Sequence, residues 1–129
     1  MRKRVGAAVI AVLSTGGLLL GTGAAQAATG KNIPYTETTD GNPGGSAEFK
    51  WNGDILVACD NQADGYGVRA TLYNSAGTAL KHVDDPQSDN TCIANSANIT
   101  DGIGVRLTVC LYKGGIYTYW CRTSAWGVS

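Results

Sequence analysis

The chain reads as an all-β protein, a small antiparallel β-sandwich of about six or seven strands. Three observations predict it. Apolar residues alternate along short runs from Ser46 onward, which is the period of a strand with one buried face. Glycine, 18 of 129 residues, punctuates the chain between those runs. No amphipathic helical period of useful length appears after the first 27 residues.

Residues 1–27 have the form of an export signal. Arg2, Lys3 and Arg4 make a basic start, "VGAAVIAVLSTGGLLLG" an apolar middle, and Ala25-Gln26-Ala27 a small-x-small cleavage site. Ser14, Thr15 and several glycines interrupt the apolar run and no basic stop-transfer cluster follows, so a membrane anchor is the poorer reading. The expected mature chain begins at Ala28, holds 102 residues, and is secreted and extracellular.

From Ala28 to Gly45 the chain is rich in Gly, Thr, Asn and Pro, with Ile33 and Tyr35 as its only sizeable apolar groups. Such a segment buries too little surface to offset its ordering entropy and predicts a flexible N-terminal arm over 28–45. Residues 46–129 are expected to form a single domain.

Within that domain "AEFKW" places Ala47, Phe49 and Trp51 on one side of a strand, and "ILVAC" does the same with Ile55, Val57 and Cys59. Asn52-Gly53-Asp54 turns the chain between them. A two-residue loop would send the two apolar sets to opposite faces, so an odd-length loop or a bulge is expected. "GVRATLYN" and "GTALKHV" form a second hairpin around Ser75-Ala76. The longest strand, "GVRLTVCLY", has Val105, Leu107, Val109 and Leu111 on one face; after Gly114-Gly115 the chain returns as "IYTYWCR".

All four cysteines, Cys59, Cys92, Cys110 and Cys121, fall in the mature part. An even count in a short exported chain predicts two disulfides; zinc is disfavoured because there is no Cys-x-x-Cys pair and a single histidine. Spacing alone leaves three connectivities. In the last hairpin an even-numbered loop puts Cys110 and Cys121 on one face. A two-residue loop leaves them diagonal, about 7–8 Å apart at Cα, too far for a bridge. A four-residue loop or a bulge would allow the bond, leaving Cys59 for Cys92.

Few residues suggest chemistry. In "CDNQADGYG", Asp60, Gln62, Asp64 and Gly65 fall on positions 1, 3, 5 and 6 of a calcium-binding loop, but position 12 is Thr71, within a strand, where a carboxylate would be needed. A turn with Asp60 and Asn61 bonding local amides is the simpler reading. His82 beside Asp84 and Asp85 lacks a nucleophile and reads as a surface group. No catalytic residue, metal site or cofactor is expected. The aromatic residues are more suggestive. With an even loop, Tyr112, Tyr117 and Tyr119 share a face with Cys110 and Cys121, and such a tyrosine row either recognises a carbohydrate or protein or belongs to the core. "NIT" at Asn98 matches a glycosylation sequon.

Without the leader, seven basic residues stand against ten acidic ones, a net charge of −3, with the cations scattered. Nucleic acid and membrane are therefore unfavoured partners; an extracellular protein or a cell-wall glycan polymer fits better, with the chain a monomer.

At "CDNQADGYGVRATLY" and "DGIGVRLTVCLYKGGIYTYWCRTSAW" the chain resembles small exported four-cysteine proteins of filamentous soil bacteria, which share an Asp-Gly-Tyr-Gly turn, a Val-Arg-x-x-Val-Cys strand and a final Cys-Arg. The resemblance covers Ser46 to Trp126 and implies a secreted β-domain. In size, cysteine count and class the chain is also similar to bacterial amylase inhibitors, but their Trp-Arg-Tyr motif has no match here, "YWCR" being in a different order. The expected function is a secreted, non-enzymatic binding protein; the alternative is a proteinaceous inhibitor of a secreted hydrolase.

Overall fold

The computed structural model describes residues 29–86 and 90–129, so the export leader expected at 1–27 lies outside the described residues. The strands among them are β1 (Ile33–Glu37), β2 (Gly45–Lys50), β3 (Ile55–Asp60), β4 (Gly67–Asn74), β5 (Ala79–Asp85), β6 (Cys92–Ser96), β7 (Gly104–Lys113) and β8 (Tyr117–Val128). Two four-stranded sheets form, ordered β1-β2-β3-β6 and β5-β4-β7-β8. Every ladder is antiparallel. This is the all-β sandwich that alternation predicts, with eight strands rather than six or seven.

The two additional strands sit where side-chain composition argues against order. β1 lies inside the segment expected to be a flexible arm, and that expectation is corrected. Ile33 pairs with Phe49 of β2 and is 1% exposed. Lys31 and Val128 exchange both backbone hydrogen bonds, at 2.8 and 3.0 Å. The Thr38 hydroxyl donates to the Asp40 carboxylate, which in turn accepts the Gly44 amide at 2.8 Å. Backbone pairing and short polar side chains thus order a stretch with little apolar surface. β6 likewise arises in the polar connection after β5, as an edge strand laddered to β3.

The core lies between the sheets. β7 contributes Val105, Leu107, Val109 and Leu111 from one face, all at most 1% exposed, as their spacing predicts. The β2–β3 hairpin departs from expectation. Its loop is the even stretch Trp51–Asp54, which pairs Phe49 with Leu56 and Ala47 with Ala58. Leu56 and Ala58 therefore join Phe49 in the core at 0% exposure, and Val57 and Cys59 turn to the opposite face. Trp51 leaves the sheet for the loop and is partly exposed.

Candidate functional site

The two disulfides expected from the cysteine spacing are present, Cys59–Cys92 and Cys110–Cys121. Cys59 and Cys92 are direct cross-strand partners on β3 and β6. The second bond depends on local irregularity. β7 and β8 are joined by three residues, Gly114 to Ile116, because Lys113 pairs with Tyr117. Between the pairs Leu111–Tyr119 and Val109–Arg122 the register slips by one, so that Trp120 and Cys121 stand opposite Cys110. A bulge, not a four-residue loop, makes the bridge. Trp120 takes up the slip in the left-handed region, at φ 48°, and its carbonyl accepts the Thr39 amide at 2.9 Å.

The odd loop also dismantles the expected tyrosine row. Tyr112 pairs with Thr118, whereas Tyr119 pairs with Leu111 and Tyr117 with Lys113, so Tyr112 faces the opposite side from Tyr117 and Tyr119. Tyr112 is half-buried on the outer face of its sheet, with the Arg69 guanidinium 5.0 Å from its ring centroid. Arg69 is held by Asp84 through two bonds of 2.7 Å, and that hydrogen bonding raises the guanidinium above its ordinary value. Burial, followed by the nearby Asp84 charge, raises the Tyr112 phenol above its usual range.

Tyr117 and Tyr119 are exposed rather than core, at 67% and 41%. Tyr119 meets Tyr66 and Trp120 at centroid distances of 5.8 Å each, and Tyr66 meets Trp120 at 5.6 Å, the Tyr66 contacts being edge-on. The Lys113 ammonium lies 5.0 Å from the Tyr66 ring. These rings gather at one end of the sandwich, beside the β7–β8 turn.

A second feature, which sequence reasoning missed, lies on the outer face of the β4-β7-β8 sheet. An open cleft of about 370 Å³ is lined by Tyr73, Asn74, Arg106, Thr108 and Thr123 with the β4–β5 turn. Tyr73 and Arg106 are cross-strand partners, as are Thr108 and Thr123. The two threonine hydroxyls are 2.9 Å apart. Arg106 is steadied by Trp126, whose ring centroid is 4.5 Å from the guanidinium carbon. Asn74 accepts the amides of Ala76 and Thr78 through Oδ1, which fixes the orientation of its amide. Polar residues at alternate positions of β4 and β7 were visible as the solvated half of each strand. Their convergence with Thr123 depends on the β8 register and was not.

The remaining candidates have structural places. In "CDNQADGYG" Asp60 accepts the Gln62 amide at 3.1 Å, as expected, and Asp64 accepts the Tyr66 amide at 2.9 Å, whereas Asn61, expected to bond a local amide, donates through Nδ2 to the Ser46 hydroxyl at 3.2 Å. His82 is exposed and pairs with Thr71 on the outer face. Asn98 is exposed at φ 48° in the loop before β7. Among the described residues no group of three or more His, Cys, Asp or Glu converges as a metal site would require, and no helix is long and apolar enough to cross a membrane.

No protein-family model and no curated protein matches the chain. Among solved structures it is similar to part of one described as an endonuclease/exonuclease/phosphatase. The neighbour is an endonuclease/exonuclease/phosphatase from Beutenbergia cavernae, with a TM-score of 0.54 and 25% sequence identity. The match covers 72% of this chain and 26% of that one, so the chain spans about a quarter of its neighbour's length. The likeness corrects the expectation of a non-enzymatic binding protein, and with it the hydrolase-inhibitor alternative. Those readings rested on the lack of a compact catalytic motif in the sequence. A β-sandwich that corresponds to part of a longer enzyme need not carry such a motif within one short run of residues.

Proposed function

We propose that this chain takes part in phosphoester hydrolysis outside the cell, and that it engages the phosphoester at the Arg106 cleft. The observation that carries the reading is the likeness to part of an endonuclease/exonuclease/phosphatase. The cleft supports it chemically. A guanidinium is permanently charged and presents paired donors that match two oxygens of a phosphate. Thr108 and Thr123 share one hydroxyl hydrogen bond, which leaves a second hydroxyl hydrogen free for a ligand oxygen. The phenol of Tyr73 and the amide of Asn74 complete a rim of donors. Such an array holds an anionic ester in place and stabilises charge that builds on its oxygens as the ester bond breaks. The net charge of −3 expected for the chain without residues 1–27 favours a small phosphate ester over a long polyanion.

Two features support the extracellular setting of this reading. The segment 1–27 has the form of an export leader, and two disulfides are compatible with an oxidising compartment. The resemblance to small exported four-cysteine proteins agrees with it.

The test combines turnover and binding. Purified mature protein is assayed on p-nitrophenyl phosphate, bis(p-nitrophenyl) phosphate and a short oligonucleotide, with and without added divalent metal. Inorganic phosphate is titrated in parallel by NMR. The expected result is release of product, together with amide shifts at Arg106, Thr108 and Thr123 that vanish in Arg106→Ala. Absence of both turnover and phosphate-dependent shifts in a folded protein overturns the proposal, as does turnover indifferent to Arg106.

A further inference from the structure

We infer that Asn52, at the tip of the β2–β3 hairpin, is a site of spontaneous covalent modification, where the side-chain amide is lost and the backbone reroutes through an isoaspartyl link. Of the asparagines in the chain only Asn52 is followed by glycine. Trp51, Asn52 and Gly53 are all exposed. Gly53 stands at φ 88° and has no side chain to shield its amide nitrogen from the neighbouring carbonyl carbon. Among the described residues the Asn52 side chain has no hydrogen-bond partner to hold it away from that nitrogen.

The reaction is an intramolecular acyl transfer. The Gly53 nitrogen gives up its proton and attacks Cγ of Asn52; the new N–Cγ bond closes a succinimide ring as the Cγ–Nδ2 bond breaks, and the side-chain nitrogen leaves with the proton as ammonia. Water then opens the ring. Attack at Cγ gives aspartate, and attack at the main-chain carbonyl carbon gives isoaspartate, in which the chain runs through Cβ and Cγ and is one backbone atom longer.

Comparable steps elsewhere are shut by the structure. Asp40, before Gly41, is a carboxylate that accepts the Thr38 hydroxyl and, at 2.8 Å, the Gly44 amide. Asp64, before Gly65, accepts the Tyr66 amide at 2.9 Å. Asp101 precedes Gly102, whose amide is committed to the Ser129 carbonyl at 2.7 Å. Asn74 is held through Oδ1 by the amides of Ala76 and Thr78. Asn98 is exposed, but the next nitrogen belongs to β-branched Ile99 and donates to the Asp54 carboxylate at 2.9 Å.

The product matters because the hairpin tip anchors a second loop. The Gly53 carbonyl accepts the Ser96 hydroxyl at 2.9 Å, the Asp54 carbonyl accepts the Ala97 amide at 2.7 Å, and the Asp54 carboxylate holds Ile99. The tip itself closes when the Asp54 amide donates to the Trp51 carbonyl at 3.1 Å. An extra backbone atom and a new carboxylate inside that closure displace both carbonyls that hold residues 96–99. Isoaspartate at 52 therefore loosens the β6–β7 connection, whereas aspartate keeps the backbone and leaves it in place. The inference is independent of the phosphoester reading, since the Arg106 cleft lies at the β4–β5 turn.

The test is to age the purified protein in mildly alkaline buffer at physiological temperature, then to map its peptides by mass spectrometry with fragmentation that separates aspartate from isoaspartate. The Asn52 peptide is expected to exchange its amide for a carboxylate at least about tenfold faster than the Asn98 peptide, because glycine leaves its nitrogen unshielded and isoleucine does not. By NMR, the isoaspartyl fraction should show displaced amides at Ser96, Ala97 and Ile99, and Asn52→Asp should not. Asn52→Gln, which would have to close a larger ring, should stop the conversion; the position is exposed, so an unchanged melting temperature shows that the variant is folded. The inference is overturned if the folded protein ages without change at Asn52, or if another asparagine converts first. It is also overturned if the isoaspartyl fraction keeps the amides of residues 96–99 where the unmodified protein has them.

Discussion

Gly127→Ala is expected to detach β1 from the sandwich. A Cβ at Gly127 would fall 2.6 Å from Cγ1 of Ile33 and 2.7 Å from the Lys31 carbonyl oxygen. The Ile33 side chain could rotate, but the carbonyl cannot retreat freely. It accepts the Val128 amide at 3.0 Å, and Lys31 donates back to Val128 at 2.8 Å. Relief therefore means giving up that pair of bonds together with the burial of Ile33. Full burial of an isoleucine side chain contributes about 1.5–3 kcal/mol. Each backbone hydrogen bond adds about 0.5–1.5 kcal/mol net. The expected loss is about 2.5–6 kcal/mol, or at least about 1 kcal/mol if the strand strains in place. Urea denaturation measures the loss, and limited proteolysis should reveal new cuts between Lys31 and Gly44. Gly41→Ala, where an added Cβ meets nothing within 4 Å, is the control. Stability within about 0.5 kcal/mol of wild type, with an unchanged protease pattern, would refute the claim that 31–44 belongs to the fold.

Phe49→Ala, at 0% exposure, should cost about 3–5 kcal/mol, whereas Tyr117→Ala with Tyr119→Ala should leave the melting temperature nearly unaltered; calorimetry on the two variants separates core from surface. Replacing Cys59 and Cys92 by alanine, which are separated by 33 in sequence, should destabilise by about 4 kcal/mol, against about 3 kcal/mol for Cys110 and Cys121, separated by 11; guanidinium unfolding of both variants checks the ranking. Tyr112 has a raised folded pKa, so its contribution is complete below its ordinary value of 10.0 and is lost as pH rises through the folded value. Alkaline unfolding curves should accordingly lose part of their pH dependence in Tyr112→Phe, and ultraviolet titration should show a late phase that disappears in that variant.

Alternation made the β7 face and the sandwich class legible, because a strand with one buried side must repeat every second residue. It failed at β2–β3 because both registers of "ILVAC" are apolar; only the loop length decides whether Leu56 or Val57 faces the core. β1 escaped notice because backbone bonds and Thr38, Asp40 and Lys31 order it, and these carry no hydrophobic signal. The cysteine pairing was legible, but its mechanism was a bulge at Trp120, which removed the tyrosine row in the same step. The Arg106 cleft could not be read at all, since it joins β4, β7 and β8 across distant positions, and the segment read as an export leader falls outside the described residues.

Both disulfides clamp an edge. Cys59–Cys92 fastens β6 to its neighbour, and Cys110–Cys121 fastens β8 to its own, while β1 and β5, the opposite margins of the two sheets, have no covalent tie. Partial opening of the native protein is therefore lopsided. Peeling starts at β1 and β5, where the cost is a few hydrogen bonds and a few side chains, and it stops before the cross-linked margins. Amides of β1 and β5 should exchange with deuterium well before those of β3 and β7, and a protease would meet a chain whose reversible opening exposes β1 first while the β7–β8 hairpin stays stapled.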